Sequence, residues 1–303
     1  MKKHGQKTVY DHHLLAEFPD QMEFEIQPLR NFIGNHKERL TKPHFQSFYQ
    51  IIWFKSGEGK HFVDFNEYDV SKNTIFFIAK NQIHAFDTKI DYEGFVIHFS
   101  EDFIVQKEND VDFFLKCSMF NNPYQIPSCC VGSGNEYKLD EYISQMETEL
   151  NVDDKYGKEE LLRLYLKALL IQVQRRKYQL EALNKKLAPF IVDQKREQLM
   201  QFVNLIEENY TRGISASGYA QMQFVSLRTL SNLTLQMLNK KPSEMIRERI
   251  ILEAKRLLLY STLNVNQIAE KLGFDDSSYF IRYFKKYTNY SPTSFKKSLN
   301  LSK

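Results

Sequence analysis

A cluster of hydroxyl, guanidinium and ammonium groups near the carboxyl end has the most specific spacing in this chain. In IAEKLGFDDSSYFIRYFKKY, residues 268–287, a 3.6-residue period places Tyr279, Phe280, Tyr283, Phe284 and Tyr287 on one side. Ser277, Ser278, Ile281, Arg282, Lys285 and Lys286 fall on the other. A short polar and basic helix face, held up by an aromatic one, is what a reader of the DNA major groove needs. Taken alone the segment also fits a surface helix whose basic groups are merely solvated.

The remaining residues with reactive side chains lie elsewhere. All eight histidines precede residue 99, so imidazole chemistry is not expected in the C-terminal part. Cys117, Cys129 and Cys130 are an odd count and a poor disulfide framework, which fits a reducing cytoplasm. None has a neighbouring histidine or a C-x-x-C partner, as an activated thiolate would need, so a DNA-alkyl repair protein is a remote reading.

The elements that must hold the basic face are legible in the same stretch. Ile268, Ala269 and Leu272 share one face of a short helix, Gly273 supplies the positive φ that ends it, and Asp276 caps the next. The pattern repeats at a period near 50: Leu230 and Phe280, Asn239 and Asn289, Pro242 and Pro292, and Met245 and Phe295 correspond, with Ser226 matching Asp276 as a cap. Two helix-turn-helix units, about 215–238 and 264–287, are expected in an all-α domain over 190–303. The amphipathic helix SEMIRERIILEAKRLLLY joins them, with Pro242 at its start. Readers in successive grooves on one face of a duplex lie about 34 Å apart, which a stiff connector can fix.

Charge agrees with this division. The 303 residues carry a formal charge of +3, but residues 1–189 hold 24 basic against 28 acidic side chains and residues 190–303 hold 17 against 10. The N-terminal region instead reads as short aromatic and β-branched strands. SFYQIIWFKSGEGKHFVDF predicts a hairpin turning at Ser56–Gly59; NTIFFIA, HAFDTKI and YEGFVIHFS predict further strands of a sandwich or small barrel within 1–133. Helices over 136–150 and 157–183 follow, in a linker spanning 134–189. In the second, Leu162, Leu166, Leu169 and Val173 form a stripe that Leu161, Tyr165 and Ala168 widen, enough for the barrel and for a second copy of the chain. The N-terminus lacks an apolar signal segment, and LLRLYLKALLIQV is interrupted by Arg163 and Lys167, so no membrane span is expected.

The last hundred residues, with A-x-x-L-L, I-A-x-x-L-G-F, S-Y-F-x-R-x-F-K-K and S-P, resemble the C-terminal signature of the AraC/XylS family of bacterial transcription regulators. The region from KPHFQSFYQIIWF through FVIHFSEDF is similar, more loosely, to the cupin-like sensory barrel of many members. The resemblance implies an α+β multidomain chain: a cupin-like effector domain, a helical linker, and two helix-turn-helix units joined by a long helix. It implies base-facing roles for Arg228, Thr229 and Asn232 in the first unit and for Ser277, Ser278 and Arg282 in the second. Ser226, Lys285 and Lys286 fall at phosphate-facing places. Arg282 is the expected guanine contact, because a guanidinium donates two hydrogen bonds to O6 and N7. The first unit departs from the family pattern: Phe224, Asn232 and Thr234 stand where glycine, arginine and phenylalanine are common.

Catalytic cupins hold a metal through a His-x-His pair, a glutamate and a further histidine. Here His44 is followed by Gln46 and then by His84, so neither a metal nor another cofactor is expected. An effector pocket is assigned to His44, Tyr49, Trp53 and His84. The expected function is a non-enzymatic, cytoplasmic transcription activator. It is expected to be a homodimer controlled by a small molecule, with promoter DNA and RNA polymerase as partners. A metal-dependent cupin enzyme with a helical appendage is the alternative.

Overall fold

The computed structural model describes residues 23–80, 82–87, 91–106, 118–121, 127–153, 156–184 and 189–300. The reading of the N-terminus as free of a signal segment, and that of Cys117, lie outside these residues. Two compact units divide in sequence between Gln194 and Lys195.

The first unit opens with β1 (Phe24–Pro28) and α1 (Leu29–Leu40). The strands β2 (Tyr49–Ser56), β3 (Gly59–Val63), β4 (Asn66–Val70), β5 (Thr74–Ile78), β6 (His84–Phe86) and β7 (Glu93–Phe99) follow. After short helices α2 (Glu101–Ile104) and α3 (Ser118–Asn121) come β8 (Ser128–Cys130), α4 (Ser133–Leu150) and α5 (Lys158–Asn184). One antiparallel sheet runs β1-β7-β2-β5-β8 and a second runs β4-β3-β6.

The expected hairpin at Ser56–Gly59 does not form, because β2 and β3 belong to different sheets. Gly57, at φ 99°, turns the chain from one sheet to the other. The hairpin lies one strand later, where Val63 pairs with Asn66 around Asp64 at φ 54°. Two glycines marked a turn in the sequence, and the positive φ they favour serves a crossover as well as a hairpin.

Strand β2 is buried on both faces. Tyr49, Ile51 and Trp53 join Ile75, Phe77, Ile97 and Phe99 in a core shared with Leu139, Ile143 and Met146 of α4 and with Leu162, Leu166, Leu169 and Val173 of α5. Ile52 and Phe54 face the other way, into a core between the sheets with Phe76, Phe86, Val63 and Val96. The helices expected as a linker therefore form a layer on the five-stranded sheet. Lys55 donates to Asp140 at 2.6 Å and Asn73 to Glu136 at 2.7 Å, tying α4 to the strands. Arg163, one of the two charges interrupting α5, is buried and donates Nε–H to the Phe103 carbonyl at 2.6 Å.

The second unit is helical. It comprises α6 (Pro189–Asn209), a 3₁₀ turn (Tyr210–Arg212), α7 (Ala216–Met222), α8 (Leu227–Leu238), α9 (Pro242–Tyr260), α10 (Val265–Lys271), α11 (Ser277–Thr288) and α12 (Pro292–Asn300). The connector α9 starts at Pro242, and the Glu244 carboxylate accepts the Lys241 N–H at 2.7 Å. Its Arg249 is buried, donating to both carboxylate oxygens of Glu207 on α6 and to Glu253, with its guanidinium 4.1 Å from the Tyr210 ring centroid. Burial opposes this charge, but Glu207 and Glu253 hold the guanidinium well above its ordinary pKa. No helix among the described residues is long and apolar enough to cross a membrane.

Candidate nucleic-acid interface

Each helix-turn-helix unit closes its first helix with the same backbone device. In α7 the Val225 N–H bonds the Ala220 carbonyl and Phe224 N–H bonds Gln221; in α10 Phe274 N–H bonds Ala269 and Gly273 N–H bonds Glu270. These 6→1 and 5→2 bonds define a Schellman end, with the left-handed residue at Phe224 (φ 57°) in one unit and Gly273 (φ 79°) in the other. The repeat has two offsets. The cap pair Ser215 and Asn264 and the left-handed pair Phe224 and Gly273 are 49 apart. The caps Ser226 and Asp276, and the left-handed C-caps Asn239 and Asn289, are 50 apart. The second turn is therefore one residue longer.

The second helix of each unit is fixed by its cap. Ser226 Oγ accepts Thr229 N–H at 3.0 Å. Asp276 accepts Ser278 N–H at 2.8 Å and Tyr279 N–H at 3.1 Å, which hold its carboxyl below the usual range. Phe280 and Phe284 are buried under α11, and Phe274 packs at an angle against Phe280 and edge-on against Tyr283. Leu230, Leu233 and Thr234 are buried under α8. What remains outside is the expected set: Ser226, Arg228, Thr229, Asn232, Ser278, Arg282, Lys285 and Lys286 are exposed, and Ser277 is half-buried. The Arg282 side chain is 70% exposed, its Nη2 lying 4.0 Å from Asp276 Oδ2. At equivalent positions Arg228 faces Ser278 and Asn232 faces Arg282, so the arginine sits one helical turn earlier in the first unit.

Sequence reasoning passed over a further signal. Between Glu208 and Glu244 there is no acidic residue, so the whole first unit presents no carboxylate. From Ser277 to the last residue there is none either. Arg228 on α8 and Arg282, Lys285 and Lys286 on α11 therefore face solvent from helices that carry no acidic residue of their own, with Asp276 at the cap of α11 as the near carboxylate.

Two matches account for the two units. Residues 219–298 match the family described as "Helix-turn-helix domain". Residues 32–107 match "AraC-like ligand binding domain". The chain thus joins an AraC-like ligand-binding domain to a helix-turn-helix domain. It is 22% identical over 258 residues to the HTH-type transcriptional activator RhaS of Pectobacterium atrosepticum, covering 84% of this chain and 86% of that protein. It is 20% identical over 259 residues to the activator RhaR of Salmonella schwarzengrund, covering 86% and 88%. Among solved structures, ToxT of Vibrio cholerae aligns over 91% of this chain and 98% of its own at a TM-score of 0.43 and 17% identity. A chain that carries both domains is a DNA-binding transcription regulator with a ligand-binding domain.

In the ligand-binding domain the expected pocket residues separate. His44 and His84 are buried with ring centroids 4.2 Å apart, and their backbones pair. Tyr49 and Trp53 lie on the opposite face of β2, in the core shared with α4 and α5, because successive residues of a strand point to opposite sides. The residue the sequence reading omitted is His61, whose Nε2 lies 3.3 Å from His84 Nδ1, between Phe76 and Phe86. Burial pushes His44 down to about 4, His61 down to about 3 and His84 well below its ordinary value. His44 Nδ1 donates to the Lys42 carbonyl at 2.9 Å, so in the neutral ring Nε2 carries the lone pair. His44 Nε2, His61 Nδ1, His84 Nε2 and the Gln46 amide make no hydrogen bond to the protein. Among the described residues no group of three or more His, Cys, Asp or Glu is placed to hold a metal ion.

Proposed function

We propose that this chain is an effector-controlled transcription activator that works in the cytoplasm as a homodimer. Its α8 and α11 enter successive major grooves of promoter DNA. The observation that carries this reading is the pair of outward polar helix faces, bearing Arg228 on α8 and Arg282, Lys285 and Lys286 on α11, with no acidic residue within either helix. Arg282 reads guanine, and Asn232 reads adenine through its carboxamide. Arg228, Thr229, Ser277 and Ser278 complete the base contacts, while Ser226, Lys285 and Lys286 hold phosphates. Activation requires contact with RNA polymerase, a role that the names of RhaS and RhaR support.

We assign the effector to the interior face bearing His44, His61, His84 and Gln46. The Gln46 amide offers a donor and an acceptor, and His44 Nε2 offers a lone pair. Whichever way the His61–His84 proton lies, one of their outer nitrogens donates and the other accepts. That alternation suits a neutral, hydroxyl-bearing molecule. A simple anion would meet the His44 lone pair, which burial keeps unprotonated. Effector binding shifts the population of states in which α8 and α11 can engage DNA. Leu161, Leu164 and Ile171 on α5 remain exposed while Leu162, Leu166 and Leu169 are buried, which supports pairing of two copies through this helix.

The test is fluorescence anisotropy on the chain's own upstream DNA. A reader making about 6–10 phosphate contacts loses about 10³–10⁵ in affinity between 50 and 200 mM salt. Weak binding indifferent to salt ends this reading.

A further inference from the structure

The two Schellman turns are alike in backbone and opposite in occupancy. At Gly273 an added Cβ would lie 1.7 Å from the Thr211 carbonyl oxygen, so only glycine fits. At the matching place Phe224 holds φ 57° with 96% of its surface exposed. A bulky residue in the left-handed region is strained, and an aromatic ring in water gains nothing from burial. Neither cost is recovered within the unit. Met222 at 38% and Leu227 at 43% exposure stand beside it in sequence, so the turn and the first position of α8 show apolar surface at the entrance to the reading helix.

We propose that Phe224 is a DNA-contacting residue. Its ring lies against the edge of the major groove, on thymine methyl or deoxyribose carbon, when the amino end of α8 enters. The proposal rests on the assignment of α8 as a groove reader. Three observations select DNA over a protein partner. Phe224 lies two residues before the cap Ser226 and four before Arg228, at the end of α8 that the base-reading assignment places in the groove. No acidic residue occurs between Glu208 and Glu244, a surface that favours a polyanion over an ordinary protein partner. The second unit has an arginine at the position where the first has Asn232, so an apolar contact compensates a weaker polar reader. Apolar contact with thymine methyl is an established form of base readout.

The experiment compares wild type with Phe224→Gly and Phe224→Asn in the full chain, since both replacements tolerate the left-handed turn. The probe is the duplex that wild type selects from a random-sequence library. Relief of backbone strain raises the melting temperature of the DNA-binding unit by about 4 °C. Affinity falls about tenfold, and the slope of log affinity against log salt stays that of wild type, because the ring carries no charge. Equal affinity for the selected duplex in both variants overturns the proposal, as does a lowered melting temperature in both. Retained affinity with lost transcription activation places the ring on a protein partner and also overturns it. Wild type that selects no sequence and binds without salt dependence refutes the DNA-reading assignment itself, a result distinct from a silent Phe224.

Discussion

In the unit ending at Gln194 three buried imidazoles, His44, His61 and His84, are stripped of charge by burial and each keeps a ring nitrogen that bonds nothing in the protein. In the unit beginning at Lys195 the buried cluster is ionic, and Arg249, Glu207, Glu253 and Arg256 partner one another between α6 and α9. The contrast separates two tasks. A satisfied ion cluster pins the connecting helix α9 to α6. An unsatisfied polar cluster keeps hydrogen-bonding capacity in reserve for a molecule that arrives later.

Acid breaks that comparison most strongly. The unfolded chain binds protons at its histidines below about pH 6.5, while the fold resists protonation until about 4 at His44 and about 3 at His61. Stability present above pH 6.5 is therefore lost as pH falls through that window, by about 4 kcal/mol at pH 5 from these two rings alone. Trp53, the only tryptophan, reports on the first unit, so its fluorescence transition should move to lower denaturant between pH 7 and 5. Residues 195–303 contain no histidine, and the transition of the helical unit should stay put.

The ion cluster is broken from the other side by Glu253→Ala. Leaving Arg249 with one buried partner fewer should cost about 3 kcal/mol in the helical unit, seen by calorimetry, with the Trp53 transition unchanged. Gly273→Ala sharpens the comparison between the two turns, since its Cβ meets the Thr211 carbonyl. It should destabilise the same unit by about 2 kcal/mol, opposite in sign to a glycine at Phe224. The smallest effect on stability is expected for Arg282→Ala. Its melting should match wild type, while discrimination at one guanine falls by about 1–3 kcal/mol and activation is lost.

The helical unit was largely legible in the sequence because each signal there is local. Asp276, Asn289, Pro292 and the aromatic period of α11 each act within one or two turns of chain. The split between offsets of 49 and 50 escaped because Asp275 adds a residue inside a turn, where sequence pattern is weakest. The Arg249 cluster escaped because its partner Glu207 is 42 residues away. In the β-rich unit the loss was of another kind. QIIWF is buried on both faces, so the alternation that would separate the Trp53 side from the Ile52 side is absent, and the pocket assignment mixed the two. His61 lay on a strand of the other sheet, and no spacing along the chain announced its approach to His84.

The central claim, two basic helix faces in neighbouring grooves, is tested most directly by guanine-N7 methylation interference on the selected duplex. The account predicts two interfering segments on one face of the helix, centred about 10 base pairs apart. Arg282→Ala should abolish interference at one guanine in one segment and leave the other segment intact. A single segment, or interference unchanged by that substitution, would contradict it.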